Sequence, residues 1–253
     1  MSCETSLESP CLVSVVIPAR DQAARIGRNI GVVLDFFQAN GISGEVVAVD
    51  DGSRDRTWAE IEAAAGRWGH SVRAIRMATN KGKGAAVATG MREAVGAYLF
   101  FTDADLPYDL KAVPRGLAAM RGGRADVVVG DRCLPESRSR AAYPWQRDAA
   151  KRVFSFLTEA MVLKGFPDTQ CGFKGFRREA AQLLFPRLRV KGFCFDVELL
   201  VMAMEQGLRV ERVPVTFLEH GASSVHLVRH SLQMFVDLLR IAYRRRKGAY
   251  GHP

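Results

Sequence analysis

The chain has 253 residues, of which 48% are hydrophobic and 25% are charged, and these values are ordinary for one large globular domain or two small ones. No stretch approaches the roughly 18 apolar residues that a membrane span requires. The N-terminus lacks a basic segment followed by an apolar one, so we expect neither a transmembrane helix nor a secretory signal. The 5 cysteines are scattered without metal-ligand spacing, which predicts reduced thiols in a cytoplasmic protein.

The net charge of +9 is concentrated in two segments. Residues 111–152 contain ten basic and four acidic side chains, and residues 229–247 contain six basic and one acidic. Such segments suit polyanions, which include nucleic acid, anionic lipid and phosphorylated small molecules, although a solvated basic face is the plainer alternative. A basic nucleic-acid-binding domain is therefore an alternative of a different class. The sequence has no recognised nucleic-acid-binding motif, so we expect no nucleic-acid partner.

The first half of the chain alternates apolar runs with amphipathic segments. Residues 1–11 are mostly polar, which predicts a disordered N-terminus. Four β-rich runs then alternate with three helical patterns, with strands at 12–17, 45–50, 72–77 and 97–101 and helices at about 22–39, 57–65 and 85–94. This alternation predicts a parallel sheet flanked by helices.

The second half has a different order of elements. Its patterns predict helices at 109–120, 145–164, 195–206 and 227–246, and strands at 127–129 and 209–217. An irregular segment, residues 167–176, ends in a short strand. Residues 134–146 contain two prolines and alternating serines and arginines, which predicts a mobile loop.

Two carboxylates follow the apolar run at 97–101. Asp103 and Asp105 are two residues apart, so in extended backbone their side chains point to the same side. Adjacent anions repel each other unless a cation or hydrogen-bond donors lie between them, and a divalent metal that also binds a substrate's phosphates would meet this need. The pattern indicates a metal–diphosphate site at the carboxyl edge of the sheet. A strand-ending turn with solvated carboxylates is the plainer alternative.

Two further loops follow strands at the same edge. Asp50 and Asp51 end the second strand, where a carboxylate can accept a hydrogen bond from a base N–H or a ribose hydroxyl. The run 80–84, Asn-Lys-Gly-Lys-Gly, opens a helix and offers backbone N–H groups and two ammonium groups to a diphosphate. Asp-Gly turn chemistry explains the first loop equally well, and an ordinary loop explains the second.

Taken together, these segments resemble a known family. The runs 16–20 (Val-Ile-Pro-Ala-Arg), 49–57 (Val-Asp-Asp-Gly-Ser-Arg-Asp-Arg-Thr), 80–86 and 102–105 look like those of the inverting family 2 glycosyltransferases with the GT-A fold. The runs 129–132 (Val-Gly-Asp-Arg), 168–174 (Asp-Thr-Gln-Cys-Gly-Phe-Lys) and 195–200 (Phe-Asp-Val-Glu-Leu-Leu) are similar to dolichyl- or polyprenyl-phosphate sugar synthases. The form at 168–174 looks closer to the glucosyl type than to the mannosyl type.

The resemblance implies a fold, a division of the chain and an activity. The expected fold is a single α/β domain, residues 12–247, with a mixed, mostly parallel central sheet flanked by helices. Residues 12–105 would form a Rossmann-like half for the nucleotide sugar, 106–226 the acceptor half, and 227–247 an amphipathic C-terminal helix. The implied reaction is metal-dependent, inverting transfer of a sugar (glucose favoured) from a nucleoside diphosphate (uridine favoured) to a polyprenyl or dolichyl phosphate.

The resemblance also assigns roles to individual residues. Mg²⁺ or Mn²⁺ would be held by Asp103 and Asp105. The donor would be bound by Pro18, Ala19, Asp21, Asp50, Asp51, Lys83, Asp103 and Ala104. The acceptor phosphate would be bound by Arg132 and Arg147, with Gln170 and Lys174 lining the pocket and His220 and Ser224 in a loop that can close over the diphosphate. Catalytic roles would fall to Arg132, and to Asp196 and Glu198, which lie where family 2 enzymes with hydroxyl acceptors often keep a base.

Plainer readings exist for several of these residues. Asp196 and Glu198 also suit the N-terminus of a helix, where the macrodipole favours negative charge. Arg132 also suits a surface ion pair. One departure from the family pattern is Asp131, which replaces a small residue and puts a negative charge beside the expected phosphate site.

The acceptor is left open between two kinds. A phosphate is already anionic at neutral pH and needs arginines rather than a base, whereas a soluble small-molecule hydroxyl, on a secondary metabolite or a phosphorylated sugar, needs proton removal by Asp196 or Glu198. The closing helix carries apolar residues beside a basic end, namely Leu232, Phe235, Val236, Leu239 and Tyr243. It suits peripheral contact with the inner face of a membrane, packing on the core, or a homodimer.

Overall fold

The computed structural model of the chain describes residues 12–139, 145–218 and 227–251. These ranges contain nine strands and eight α-helices. The strands are β1 (Val13–Ala19), β2 (Gly44–Asp50), β3 (Val72–Arg76), β4 (Tyr98–Phe101), β5 (Val127–Asp131), β6 (Arg138–Ser139), β7 (Lys174–Arg177), β8 (Val210–Pro214) and β9 (Thr216–Phe217). The helices are α1 (Ile26–Ala39), α2 (Thr57–Trp68), α3 (Lys83–Glu93), α4 (Ala112–Arg121), α5 (Trp145–Met161), α6 (Arg178–Leu184), α7 (Phe195–Glu205) and α8 (Leu227–Arg246). The predicted disordered segment, residues 1–11, lies outside the described residues.

Seven of these strands form one central sheet in the order β3-β2-β1-β4-β7-β5-β8. β7 runs antiparallel to both of its neighbours, β4 and β5, and the other neighbours in the sheet are parallel. The expected mixed, mostly parallel sheet flanked by helices is therefore confirmed. Because β7 is inserted between β4 and β5, the sheet joins the two halves of the chain without a break.

The sheet is covered on both faces, because successive residues of a strand point to opposite sides. Val15 and Ile17 of β1 belong to a buried cluster with α1, α2 and α4. Val16 belongs to a second cluster, with α3, α6 and α7. Strands buried on both faces are expected to be continuously apolar rather than alternating, which explains the unbroken apolar runs of β1 and β2.

The structure differs from the predicted elements in the second half. α6 had no predicted counterpart, because β7 ends at Arg177 and the helix begins at the next residue, so no glycine or proline marks the change. The predicted strand at 209–217 is two strands, of which β9 pairs with β6 in a separate two-stranded sheet. Pro214 is the last residue of β8 to pair with β5, and proline lacks the N–H that a ladder needs. The same pairing orders part of the predicted mobile loop, since β6 lies within residues 134–146.

Among the residues that the structure describes, no helix is both long enough and apolar enough to cross a bilayer.

Two helical glycines offer a matched test of this packing. A Cβ on Gly90 of α3 would lie 2.4 Å from Val16 Cγ1 of β1, whereas a Cβ on Gly66 of α2 would meet nothing within 4 Å. We expect Gly90→Ala to destabilise the protein by about 1–3 kcal/mol through overpacking. Gly66→Ala should stabilise it by about 0.4–1 kcal/mol, because alanine loses less conformational entropy on folding. Urea denaturation followed by circular dichroism measures both changes, and equal shifts of the two midpoints would contradict this account of the α3–β1 contact.

Candidate active site

The carboxyl ends of β1, β2 and β4 bring the predicted donor residues to one edge of the sheet. Pro18 pairs with Val49, and Ala19 pairs with Asp50 across the β1–β2 ladder. The loop after β2 is tied back to β1, because Asp51 N donates to Ala19 O at 2.9 Å. The loop after β4 is held by Asn29 of α1, whose Nδ2 donates to Ala104 O at 2.7 Å. Parallel strands therefore gather residues that are up to 86 positions apart in the sequence, as Pro18 and Ala104 are.

Asp50 carries an unsatisfied acceptor in the interior. Its side chain is fully buried, and Oδ1 accepts a hydrogen bond from Ser53 N at 2.9 Å. Oδ2 has no hydrogen-bond partner among the described residues; Arg76 Nε lies 3.7 Å away. A buried carboxylate oxygen without a donor is costly, so this oxygen is suited to accept an N–H or O–H from a ligand.

The neighbouring carboxylates of Asp51 and Asp21 accept hydrogen bonds from the backbone of loops. Asp51 accepts hydrogen bonds from Lys81 N at 2.7 Å and Gly82 N at 2.9 Å. Burial raises the pKa of Asp51 above its ordinary value, and these two hydrogen bonds oppose the rise. Asp21 accepts from Arg54 N at 2.8 Å. Both carboxylates were predicted to bind the donor, and the hydrogen bonds that they accept within the protein shape the loops.

The predicted backbone cradle in the run 80–84 is corrected by the structure. Besides the two N–H groups bonded to Asp51, Gly84 N donates to Lys191 O at 2.8 Å and Ala85 N donates to the same oxygen at 3.3 Å. These four donors are satisfied by the protein itself and are not turned to a ligand. Of the two lysine side chains in the run, that of Lys81 is exposed and that of Lys83 lies in the charged cluster described next.

Lys83 lies within a cluster of half-buried and buried charges. Its Nζ is 2.5 Å from Asp103 Oδ1, with the two side chains 17% and 31% exposed. Burial alone would lower the pKa of Lys83, but the charges of Asp103, Asp196 and Asp105 hold it above the ordinary value. Burial and the charge of Asp103 raise the pKa of Asp105. The residues on which the metal and diphosphate predictions rested are therefore brought together.

Lys174 and Asp196 complete this cluster from the other side. Lys174 is fully buried, and its Nζ lies 2.6 Å from Asp196 Oδ1, 3.0 Å from Thr169 O and 2.8 Å from Cys171 O. Two of these contacts are hydrogen bonds to backbone carbonyl oxygens, and the contact with Asp196 is an ion pair, because Asp196 Oδ1 has no hydrogen-bond partner among the described residues. Lys174 thus supports the site from within and does not line a pocket as predicted. Burial raises the pKa of Asp196, against the lowering effect of Lys174 and Lys83.

The carboxylate pair fits a divalent metal. The cluster holds three carboxylates, Asp103, Asp105 and Asp196, and two ammonium groups, Lys83 and Lys174, and the charge of Arg25 also acts on Asp105. Carboxylate oxygens are the ligands that Mg²⁺ and Mn²⁺ prefer. A Cβ on Gly172 would lie 2.1 Å from Asp103 Oδ2, so a glycine at this position leaves room for the carboxylate.

A second group of potential ligands is already engaged by the protein. Ligand atoms of Asp131, Cys133 and Asp168 lie within 4.8 Å of one another. However, Asp131 accepts from Cys133 N at 2.7 Å and from Arg212 Nη1 at 3.0 Å, and Asp168 is bound to Arg132. The negative charge of Asp131, which seemed unfavourable beside a phosphate site, is therefore balanced by Arg212.

Arg132 is anchored by Asp168. Its Nε donates to Asp168 Oδ2 at 2.7 Å, its Nη2 to Oδ1 at 2.5 Å, and its backbone N to Oδ2 at 2.9 Å. The arginine side chain is 14% exposed and the aspartate 1%. Burial would lower the pKa of Arg132, but the hydrogen bonds that it donates to Asp168 raise it. The pair is thus partly buried and bidentate, and it fixes the guanidinium plane, unlike the surface ion pair considered as an alternative.

Glu198 differs most from its predicted role. Its side chain is fully buried. Oε2 accepts from Arg189 N and Val190 N at 2.9 and 2.6 Å, and Oε1 accepts from Arg244 Nη1 and Tyr250 Oη at 3.2 and 2.7 Å. Four donors occupy both oxygens, so Glu198 is a structural carboxylate and not a base facing an acceptor. Its partners are too distant in sequence to be read from a local pattern.

One segment, residues 168–174, connects the parts of the site. Asp168 at its start anchors Arg132, Gly172 contacts Asp103, and Lys174 at its end pairs with Asp196. Gln170 lies within it, and its Nε2 is buried without a hydrogen-bond partner in the described structure. The motif at 168–174 predicts no role for Asp168, because only the fold shows that Arg132 is its partner. The side chain of Arg147, and His220 and Ser224, lie outside what the structure describes.

Comparison with known proteins agrees with this geometry. A family model described as glycosyl transferase family 2 matches residues 14–185. The chain is 32% identical over 250 residues to the dolichyl-phosphate beta-glucosyltransferase of Homo sapiens, with 94% of this chain and 77% of that protein covered. It is 33% identical over 255 residues to the protein of that name from Drosophila melanogaster, with 96% and 78% covered.

Solved structures share the fold. Mannosyl-3-phosphoglycerate synthase from Rubrobacter xylanophilus superposes with a TM-score of 0.69 at 18% identity, covering 94% of this chain and 75% of that chain. Glucosyl-3-phosphoglycerate synthase from Mycobacterium tuberculosis, in complex with Mn²⁺, uridine diphosphate and glucosyl-3-phosphoglycerate, gives 0.63 at 19% identity, covering 92% and 80%. Since the family model spans more than half of the chain and these relatives exceed 30% identity over most of it, the chain belongs to glycosyl transferase family 2 and is a glycosyltransferase with the GT-A fold.

Proposed function

We propose that the protein transfers glucose from UDP-glucose to a dolichyl or polyprenyl phosphate, with inversion at the anomeric carbon and with Mg²⁺ or Mn²⁺ as cofactor. The observation that carries the proposal is the segment 168–174, which links the carboxylate pair of the donor side to an anchored arginine on the acceptor side. The names of the human and Drosophila relatives support glucose and dolichyl phosphate. The complex of the Mycobacterium tuberculosis neighbour supports uridine diphosphate and Mn²⁺.

On the donor side, residues 12–105 would hold the nucleotide sugar. The free oxygen of Asp50 would accept an N–H of the base, and Pro18 and Ala19 would form the adjacent wall. Asp103 and Asp105 would hold the metal ion, which when bound supplies positive charge to the leaving diphosphate. Lys83, already aimed at this point, would add its ammonium charge as the bond to the sugar breaks.

On the acceptor side, the burial of the candidate bases favours a phosphate. Glu198 has both oxygens occupied, and Asp196 is 2% exposed and paired with Lys174. A phosphate acceptor is ionised at neutral pH and attacks without a base, provided that it is held in line with the leaving group. Arg132, fixed by Asp168, would hold the phosphate, and Arg147 would assist.

The C-terminal helix would bring the enzyme to a lipid acceptor. Four large apolar side chains of α8 are exposed at helical spacing, namely Leu232 (67%), Phe235 (39%), Leu239 (44%) and Tyr243 (63%). Val153 and Phe156 of α5, which contacts α8, are 60% and 70% exposed. An apolar stripe of this kind suits an interface between water and lipid, so we propose peripheral contact with the membrane that contains the acceptor.

The donor assignment is tested by Asp105→Asn with a panel of UDP-glucose, UDP-N-acetylglucosamine and GDP-mannose, each with and without a short polyprenyl phosphate. We expect wild-type release of UDP from UDP-glucose to require both the metal and the lipid phosphate. Asp105→Asn should lower kcat/KM by about 100-fold or more, because a ligand of the metal is lost. Asp35→Asn, at an exposed position of α1, is the control. Full activity in Asp105→Asn would contradict the metal site, and release without the lipid would turn the search to a soluble hydroxyl acceptor.

The acceptor assignment is tested by Arg132→Lys. Lysine keeps the charge but cannot form the bidentate pair with Asp168, so we expect the KM for the polyprenyl phosphate to rise about 10- to 100-fold while the KM for the donor changes little. Arg124→Lys, which alters a surface pair with Glu211 beyond the opposite end of β5, should leave both constants unchanged. A rise confined to the KM for the donor would contradict the assignment of Arg132 to the acceptor phosphate.

Membrane contact is tested by sedimentation with liposomes of neutral and anionic phospholipid. We expect Leu232→Ser combined with Phe235→Ser to weaken the partitioning by about tenfold or more, because apolar area that would enter the interface is lost. Val32→Ser, at a 41% exposed position of α1, should partition as the wild type does. Unchanged partitioning, together with a dimer that dissociates in the double variant by light scattering, would show that the stripe pairs with a second copy instead.

A further inference from the structure

Glu198 ties three separate parts of the chain together in the interior. Its four hydrogen-bond donors come from the loop before α7 (Arg189 and Val190), from α8 (Arg244) and from the turn after α8 (Tyr250). The turn is pinned further, since Gln206 Nε2 donates to Tyr250 O at 2.5 Å and Arg187 Nη2 to Gly251 O at 3.0 Å. The last described residues of the chain are therefore docked onto the core through a buried carboxylate.

The loop that Glu198 holds is packed against the start of α3. Lys191, next to Val190, accepts hydrogen bonds from Gly84 N and Ala85 N through its carbonyl oxygen. A Cβ on Gly82 would lie 2.6 Å from Lys191 O, and a Cβ on Gly84 would lie 2.8 Å from Val190 O. Real Cβ atoms do not approach other atoms so closely, so the loop and the start of α3 are packed too tightly for a side chain at either glycine. A displacement of the loop therefore displaces the first turn of α3.

Lys83 lies between these two glycines and is the first residue of α3. Its ammonium group is 2.5 Å from Asp103 and 5.9 Å from the ring centre of Phe195, which begins α7. Glu198 is in the same helical turn as Phe195. The position of the ammonium group is thus set from two directions, through the loop and through α7, and Glu198 contributes to both.

We propose that Glu198, Arg244 and Tyr250 are positioning residues for Lys83, and that through them the C-terminal helix and turn set the affinity of the site for the donor's diphosphate. The assignment rests on the proposed function, in which Lys83 faces that diphosphate. Removing Arg244 leaves the buried charge of Glu198 uncompensated, and removing the hydroxyl of Tyr250 leaves a carboxylate oxygen short of a donor. The carboxylate relieves either loss by moving, together with the two backbone N–H groups that it holds. Asp103 lies on another loop and does not move with Glu198. The distance between Lys83 and the carboxylate pair, Asp103 and Asp105, therefore changes.

The test measures the dissociation constants of UDP and of uridine 5′-monophosphate by calorimetry, in Mn²⁺ and without lipid, for Tyr250→Phe and Arg244→Gln. The monophosphate lacks the second phosphate, towards which Lys83 would be directed. We expect both variants to bind UDP about 5- to 20-fold more weakly and the monophosphate within twofold of wild type. Arg244→Lys, which keeps the charge, should recover part of the affinity for UDP.

The matched control is Arg245→Gln. Arg245 lies beside Arg244 on α8 and also pairs with a glutamate of α7, at 2.7 Å, but that residue is Glu205 at the far end of the helix. Because the pair of Arg245 with Glu205 is more exposed than that of Arg244 with Glu198, the control should lose no more thermal stability than Arg244→Gln and should keep the affinity for UDP. Equal weakening of both nucleotides, or unchanged binding of UDP in the two variants, would overturn the assignment while leaving the proposed function in place. Failure of the wild-type protein to bind UDP would instead overturn the proposed function and, with it, this inference.

Discussion

The structure depends on keeping buried and half-buried charges of opposite sign next to one another at the carboxyl edge of the sheet. Asp103 and Asp196 are compensated by Lys83 and Lys174, and each ammonium group touches a carboxylate contributed by a different part of the chain. A buried charge is tolerated only when it is paired and hydrogen-bonded. These ion pairs therefore fix the arrangement of four parts of the chain: the loop after β4, the first residue of α3, the first residue of β7 and the first turn of α7. Separating any of them would leave a charge without its partner of opposite sign.

This arrangement positions the proposed donor and acceptor sides relative to each other through one segment of backbone. Asp168 orients Arg132, and six residues later Lys174 pairs with Asp196, so a single short stretch of backbone determines how far an acceptor phosphate would lie from the carboxylate pair. Inverting transfer needs the nucleophile and the leaving group on opposite faces of the sugar, at a separation that varies little. A rigid connection satisfies that need better than two independent loops.

Much of the first half could be predicted from the sequence, because apolar runs, turn residues and the spacing of Asp103 and Asp105 are local signals. The edge at which the loops meet follows from the parallel order of the strands. The partners of the polar groups could not be predicted in the same way. Asp51 reads as a ligand-facing carboxylate, yet it binds Lys81 N and Gly82 N, 30 and 31 residues away. Glu198 reads as a base, yet its partners include Arg244 and Tyr250, 46 and 52 residues away. Such pairings depend on tertiary packing, for which a single sequence carries no periodic signal.

The antiparallel direction of β7 has a consequence for how the two halves can vary. In a sheet of parallel strands, the residues that follow each strand form the site, whereas β7 begins at the site edge, so the residues that precede it reach the same place. Lys174 pairs with Phe101 on one side and Val129 on the other, which fixes the register of this entry point. In the chain between β5 and residue 168, the described residues 132–139 and 145–167 take no part in that pairing. Insertions or deletions there would change the surroundings of Arg132 without shifting the register of β7, so this side of the site can vary while Asp103 and Asp105 stay in place.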